Sequence, residues 1–282
     1  MNDMQVVCAA DERYVIPLAA SMRSVMDNLK VIERVQLVVL SCGISANSRR
    51  LLEGSWDSSR HDIEFIEVGE DAYKHLPVRS GVSSYLTTTT YARLSLPETL
   101  PQDWKRVIYL DVDTITLRSL DALWDIDLHG APIAAVQDVY TPYISSPDGV
   151  QNWRALNLDP QAQYFNAGVM VVDLEIWRRE QVAERALKHI ETHSDQIVLF
   201  DQEGLNAVLG GRFRQLDPVW NMMNYWHKEG SGTARHSEIV DNVRIRHFNG
   251  RRKPWEKAGA DVPDRDAFFR YLDRTRWAGW RP

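Results

Sequence analysis

Cysteine is nearly absent from this chain. Cys8 and Cys42 are the whole supply in 282 residues, too few for a disulfide framework, and neither belongs to a Cys-x-x-Cys pair. A reducing compartment, the cytoplasm, is the setting this usage supports. Long apolar runs are missing too: no segment approaches the ~18 residues of a spanning helix. The opening MNDMQVVCAADERYV has no basic start and reaches Asp11 after a short apolar run, so no signal peptide is expected. Basic charge is not in surplus, with 33 Lys and Arg against 39 Asp and Glu and a net charge of −6, which argues against nucleic acid as the partner. The chain reads as soluble, or at most peripheral to a membrane. Repeats, low-complexity tracts and Gly/Pro/Ser-rich linkers are absent as well, so one domain is expected over 1–282, with 256–282 as a C-terminal helical tail.

What is present reads as globular, with 44% hydrophobic and 26% charged residues. Gln5 to Ala10, Val35 to Ser41 and Ile63 to Val68 read as strands, separated by a helical period over Val15 to Leu29 and a polar helix near Ser48 to Leu52. Further strands are expected at Val107 to Leu110, Pro132 to Gln137, Val169 to Val172, Phe213 to Leu216 and Val243 to Phe248. Helices are expected at Leu120 to Trp124, at Ile176 to Ile190 as one piece, and at Asp201 to Leu209. Such alternation points to βαβ units: an α/β fold with a central, mainly parallel mixed sheet flanked by helices.

The chain is organised around VIYLDVDTITL, Val107 to Leu117. Val107 to Leu110 read as a buried strand, and Asp111 and Asp113 follow at its carboxyl end, where open α/β sheets bind ligands. Side chains at i and i+2 of an extended segment point the same way, so both carboxylates can face one point. Two carboxylates there repel unless a cation sits between them, which makes a divalent metal holding an anionic ligand the first hypothesis. The structural alternative is that Asp111 caps a turn and Asp113 is solvated.

Other segments carry similar pairs of readings. Tyr85 to Leu96 hold the run TTTTYARL, in which Tyr91, Leu94 and Leu96 can bury one face and Arg93 is a surface or a site residue. Asp138 follows a buried strand, as a turn residue or a site residue. Tyr140 to Pro160 form a loop long enough to be a lid. Ala167 and Gly168 permit close backbone approach. Asp201 suits a helix N-terminus, but capping does not account for Gln202 and Glu203 beside it. His247 ends a strand and precedes Asn249-Gly250-Arg251-Arg252-Lys253, a Gly-containing turn and basic triplet that suit a diphosphate and its metal.

Six stretches, VVCAADERY, TTYARL, YLDVDTI, YFNAGVMVVDL, DQEGLN and HFNGRRKPW, resemble in that order the motifs of glycosyltransferase family 8, over residues 5 to 255. The resemblance implies a retaining transferase of the GT-A fold, as in bacterial lipooligosaccharide galactosyltransferases and glycogenin-like enzymes. It implies Asp111, Asp113 and His247 as ligands of Mn²⁺ or Mg²⁺, completed by the diphosphate of a UDP-sugar. It implies that Ala9, Asp11 and Tyr14 hold uracil and ribose, that Val112, Gly250 and Lys253 lie along the nucleotide, and that Arg93, Asp138, Asn166, Asp201 and Gln202 surround the donor sugar. Arg13 stands where the family often has Asn, and Glu203 where close relatives have Asp or Gly.

The expected reaction moves galactose or glucose from UDP to a hydroxyl of a glycan or glycolipid, as in cell-envelope polysaccharide synthesis. Gln202, Asp201, Asp138 and Arg93 are the expected catalytic set. Two rivals come from other classes. A haloacid-dehalogenase-like phosphatase also places Asp-x-Asp after an apolar strand, though usually near the N-terminus and with a later acidic cluster that this chain lacks. A non-catalytic nucleotide-sugar-binding module would be expected to lose a metal ligand or the Asp201-Gln202 pair. In the tail, Phe268, Phe269, Tyr271, Trp277 and Trp280 lie among arginines. That mixture suits peripheral contact with the inner face of a membrane, and equally a helix docked on the domain, which is the expectation.

Overall fold

The computed structural model describes residues 4–30, 34–56, 59, 61–69, 73–77, 88–227 and 234–282. Tyr85 to Thr87, the head of the threonine-rich segment, lie outside the described residues. In chain order the elements are β1 (Met4–Asp11), α1 (Val15–Asp27), β2 (Val35–Cys42), α2 (Ala46–Glu53), β3 (His61–Glu67), α3 (Leu96–Thr99), β4 (Arg106–Leu110), β5 (Thr114–Thr116) and α4 (Asp121–Trp124). They continue with β6 (Ile133–Gln137), β7 (Phe165–Asp173), α5 (Leu174–Arg179), α6 (Val182–Thr192), α7 (Phe200–Leu209), β8 (Arg214–Gln215), α8 (Ala234–Asp241), β9 (Ile245–His247) and α9 (Arg265–Leu272).

The chain divides into two compact units, one of Met1–Glu67, Leu110–Asp125 and Asp217–Pro282, the other of Val68–Tyr109 and Ile126–Leu216. The first unit holds three strands in the order β3-β2-β1, and the second holds four in the order β4-β7-β6-β8.

In the first unit β1 and β2 pair in parallel and are buried almost throughout, as their continuous apolar runs require. β3 pairs parallel to β2 at the end of the order, and its alternating burial matches its alternating sequence. α1 buries Leu18, Ala19, Ala20, Met22, Val25 and Met26; each large side chain withdrawn from water contributes on the order of 2 kcal/mol. Its polar residues work as well. Ser24 Oγ accepts from Thr116 N (2.8 Å) and Asn28 Nδ2 donates to Thr116 O (3.1 Å), so the helix fastens β5 by its backbone. β5 pairs antiparallel with β9, Thr114 opposite His247.

The tail docks in this unit. Phe268, Phe269, Tyr271 and Leu272 are buried in one cluster with Ile115 and Phe248, and Trp277 and Trp280 pack against it. Arg274 pairs with Asp27 (2.6 Å) and Arg276 donates to the Gly54 carbonyl (3.0 Å), so the basic residues bind protein. No described helix is long and apolar enough to cross a membrane.

In the second unit β6 and β7 run antiparallel with a bulge: Ala135 faces Met170, but Val136 faces Asn166. Residues 167–169 therefore have no partner in the β6 ladder, and Ala167 instead donates to Gln202 and accepts from Arg93. β7 also starts earlier than expected, at Phe165. The helix expected over Ile176 to Ile190 is two helices. Gln181 is left-handed (φ 51°), and the apolar period survives the break because Ile176 and Trp177 before it and Val182, Ala186 and Ile190 after it are all buried. The loop from Tyr140 to Pro160 carries its own small core, with Ile144 and Val150 packed against Tyr164 and Ala207. A Cβ on Gly149 would collide with the Ile144 carbonyl, so that fold of the loop needs glycine there. The loop packs as an element in its own right.

Candidate active site

In the first unit Asp111 and Asp113 converge by a turn and not by strand alternation. β4 ends at Leu110; Thr114 then folds back, donating from its N–H (3.2 Å) and its hydroxyl (2.7 Å) to Asp111 O. The β5–β9 pairing continues as Phe248 N donates to Asp113 O (2.9 Å), which carries His247 to the carboxylates from across the chain. One ligand atom each of Asp111, Asp113 and His247 lie within 4.8 Å of one another.

Asp113 is the shared partner. Its Oδ1 lies 3.2 Å from His247 Nε2 and its Oδ2 accepts from Lys253 Nζ at 2.7 Å. Burial by itself would raise the Asp113 carboxyl, but the Lys253 ammonium and His247 outweigh it and hold the group far below the usual carboxylate range. Lys253 is buried and its ammonium also donates to Phe248 O (3.0 Å). The basic triplet thus splits: Arg251 and Arg252 are exposed, Arg252 pairs with Asp261 (2.6 Å), and Lys253 alone turns inward. Gly250, at φ 101°, makes the turn between His247 and Lys253.

The residues fit a divalent ion. Two carboxylates and one imidazole form an oxygen-rich set suited to Mn²⁺ or Mg²⁺, and His247 Nδ1 is 2.8 Å from Asn221 Oδ1, which leaves Nε2 directed at Asp113.

The other residues expected along the nucleotide lie in the same unit. Ala9 and Val112 are buried. Asp11 accepts from Arg13 N (3.0 Å) and Arg13 Nη2 (2.9 Å), so Arg13 closes the turn that follows β1. Tyr14 meets Trp255 edge-on at 6.0 Å between ring centres. Burial, then the neighbouring carboxylates led by Asp113, push the Tyr14 phenol above its usual value.

In the second unit the structure gathers Arg93, Asp138, Asn166, Asp201 and Gln202 around the β7 bulge. Arg93 is buried, with Nε 2.8 Å from Asp201 Oδ2, Nη1 donating to Ala167 O (2.6 Å), and its guanidinium over the Tyr109 ring at 4.7 Å. Thr90 donates to the other Asp201 oxygen. Gln202 is held at both ends of its amide: Oε1 accepts from Ala167 N (3.0 Å) and Nε2 donates to Asp138 Oδ2 (3.3 Å). Asn166 donates to that same Asp138 oxygen (2.9 Å), while Asp138 Oδ1 accepts from the N–H groups of Tyr140 (2.8 Å) and Thr141 (2.9 Å).

Asp201 therefore is not the cap of α7. Glu203 closes that end, reaching back to accept from Val198 N (2.7 Å) and Leu199 N (3.2 Å). Two contributors carry no sequence signal: Asn221, one polar residue among aromatics, and Arg246, a fully buried arginine whose guanidinium spans Met222 O (2.9 Å), Asn224 Oδ1 (2.6 Å) and Asp264 (2.9 Å).

The fold is similar to that of a galactosyltransferase, LgtC, crystallised with donor and acceptor sugar analogs: TM-score 0.81, 26% identity, covering 99% of this chain and 98% of that one. The bifunctional glycosyltransferase WbbM shares the fold at 21% identity, with TM-score 0.78 over 98% of this chain and 50% of its own. These likenesses define a mixed α/β protein of the GT-A glycosyltransferase class. The chain belongs to glycosyltransferase family 8, whose profile, described as Glycosyl transferase family 8, matches residues 5–259. Curated relatives include General stress protein A of Bacillus subtilis (strain 168), 32% identical over 97% of this chain and 94% of the relative, and Glycosyltransferase GlyF of Streptococcus pneumoniae serotype 4, 26% identical over 89% of this chain and 56% of the relative. Membership of this family sets aside the phosphatase reading.

Proposed function

We propose that the chain is a retaining, metal-dependent hexosyltransferase that moves galactose or glucose from a UDP-sugar to a hydroxyl of a glycan or glycolipid, in cell-envelope polysaccharide synthesis. The observation that carries this reading is the meeting of Asp111, Asp113 and His247 within 4.8 Å, with Lys253 on the same Asp113 carboxylate. Two acids, an imidazole and an ammonium together suit a cation and the diphosphate it neutralises. The family membership and the likeness to a galactosyltransferase support a sugar donor and acceptor.

In this reading Asp111, Asp113 and His247 hold Mn²⁺ or Mg²⁺. When bound, the ion supplies positive charge where the departing β-phosphate becomes negative. Lys253 adds its ammonium to the same phosphate, a charge placed where charge develops. Ala9, Asp11 and Tyr14 take uracil and ribose, with Val112 and Gly250 beside the nucleotide backbone. Arg93 and Asp201, locked to each other, fix the sugar hydroxyls with Asp138 and Asn166.

Retention requires either a covalent intermediate from a group beneath the ring or attack on the face that UDP leaves. Gln202 is the residue assigned there. It is an amide, a feeble nucleophile, and both ends of that amide are engaged. The reading is therefore same-face attack by the acceptor hydroxyl, whose proton passes to the departing phosphate, with the Gln202 carbonyl oxygen steadying the cation-like carbon. A sugar found covalently attached to the wild-type protein by mass spectrometry during turnover would overturn that step.

The whole reading is tested by UDP release from UDP-galactose and UDP-glucose with and without Mn²⁺, together with thermal shift, since a ligand of the native state raises apparent stability. Mn²⁺-dependent release from one of the two supports it and identifies the donor. No stabilisation and no release with either would overturn it. The reading treats 1–282 as one catalytic domain. A cytoplasmic setting goes with it, resting on a supply of two cysteines, neither in a Cys-x-x-Cys pair.

A further inference from the structure

We propose that Asn221 is a positioning residue that decides which ring nitrogen of His247 is left free, an inference that rests on the metal reading of Asp111, Asp113 and His247. Asn221 is fully buried and follows a turn at Pro218–Trp220. The next residue is stitched to β9, with Met222 N donating to Ile245 O (2.9 Å) and His247 N donating to Met222 O (3.0 Å). Arg246 fastens the same stretch from the other side through Met222 O (2.9 Å) and Asn224 Oδ1 (2.6 Å). The backbone that carries Asn221 is thus fixed against the strand that carries His247.

Asn221 Oδ1 lies 2.8 Å from His247 Nδ1. A carboxamide oxygen only accepts, so the proton sits on Nδ1, and a neutral imidazole has one N–H to give. Nε2 is then left with its lone pair, 3.2 Å from Asp113 Oδ1. In the neutral ring the two acceptors attract only through something electropositive between them: a cation, or in its absence the second proton of an imidazolium. With the opposite tautomer, Nε2–H would donate to Asp113 directly, and neither atom would be free to ligate. Asn221 therefore selects between His247 as a metal ligand and His247 as a mere partner of Asp113. The effect is local and does not require the asparagine to touch metal or substrate.

Two measurements test this. Nitrogen-15 NMR of the histidine rings in metal-free protein should show His247 protonated on Nδ1 in the wild type and on Nε2 in Asn221→Leu. Mn²⁺ titration followed by electron paramagnetic resonance should show binding weakened on the order of ten- to a hundredfold in Asn221→Leu, and kept within a few-fold in Asn221→Asp, whose carboxylate accepts the same N–H. A purely structural role would lower the melting temperature of both variants and leave Mn²⁺ affinity of the folded protein unchanged, which would overturn the inference. A neutral wild-type His247 protonated on Nε2 alone would overturn it as well, and this measurement stands even where Asn221→Leu does not fold. Wild-type protein that binds no Mn²⁺ yet keeps the Nδ1–H tautomer would overturn the metal reading and uphold the tautomer.

Discussion

Lys253 and Asp113, 140 residues apart in sequence, meet inside the first unit with the ammonium 2.7 Å from the carboxylate Oδ2. The lysine side chain is 2% exposed and the aspartate 13%, so neither charge has water as a substitute partner. Asp113→Asn leaves that ammonium without its counter-charge and removes a proposed metal ligand. It should abolish Mn²⁺-stimulated UDP release and lower stability by about 3 kcal/mol, the scale for breaking a buried pair. Urea denaturation and a release assay check the two effects separately, and undiminished activity would argue against the metal assignment.

Gln202→Glu places a carboxylate where Gln202 Nε2 now donates to Asp138 Oδ2 at 3.3 Å. Two acids at that separation repel, so the pair takes up a proton more readily than a lone carboxylate as pH falls. Sugar transfer should fall about a hundredfold near pH 7.5 and recover in part toward pH 5.5, where the protonated acid restores a donor. Gln202→Ala should lose activity without that pH dependence. Initial rates across the range distinguish the two.

Asp201 and Glu203, neighbours on α7, should separate cleanly. Glu203→Ala strips the acceptor from two N–H groups, at a cost of about 1–3 kcal/mol, and should leave the KM for donor unchanged. Asp201→Asn weakens the hold on Arg93 and should lower kcat more than it lowers the unfolding midpoint. Steady-state kinetics beside urea melts give both comparisons.

Stability should fall on acidification, for two reasons. Burial, helped by neighbouring His193, holds His189 down from about 6.5 to about 4. Its folded value is the lower one, so its contribution is complete above 6.5 and is lost as pH drops toward 4, by up to about 3 kcal/mol. Asp113, also depressed, contributes above the ordinary carboxylate range and is lost only below it. Denaturation midpoints between pH 4 and 7.5 should decline in the wild type and be flatter in His189→Leu.

The tail prediction concerns lipid. Phe268, Phe269 and Leu272 are already buried, and Arg274 and Arg281 already paired with Asp27 and Asp273. The full chain should not float with anionic vesicles, and deletion of residues 264 to 282 should abolish cooperative unfolding by exposing the apolar surface they cover. Flotation that disappears with the tail while the core stays folded would revive the membrane reading.

Much of this architecture was legible beforehand, because buried parallel strands read as continuous apolar runs and β3 alternates where one face meets water. The convergence of Asp111 and Asp113 was anticipated for the wrong reason: parity along a strand was invoked, whereas Thr114 folds a turn under them. Periodicity could not disclose the break at Gln181, since both helices bury the same phase. Propensity leaves Asp201 open as cap or site residue, and a carboxylate placed further along, Glu203, is the one that accepts from Val198 N and Leu199 N. Of the basic triplet that suits a diphosphate, Lys253 alone turns inward, which charge along the sequence does not distinguish. Asn221 was invisible, because its role depends on lying beside β9, a non-local pairing.

The short β5–β9 ribbon also dates the site within the life of the chain. His247 reaches Asp113 through that pairing, so a ribosome must add the whole stretch from Asp113 to β9 and Lys253 before the carboxylates gain their imidazole and their lysine. Nascent chains that stop short of β9 carry the acidic pair without its counterparts, and under the proposed metal reading capture of an ion would wait until β9 has been made and paired.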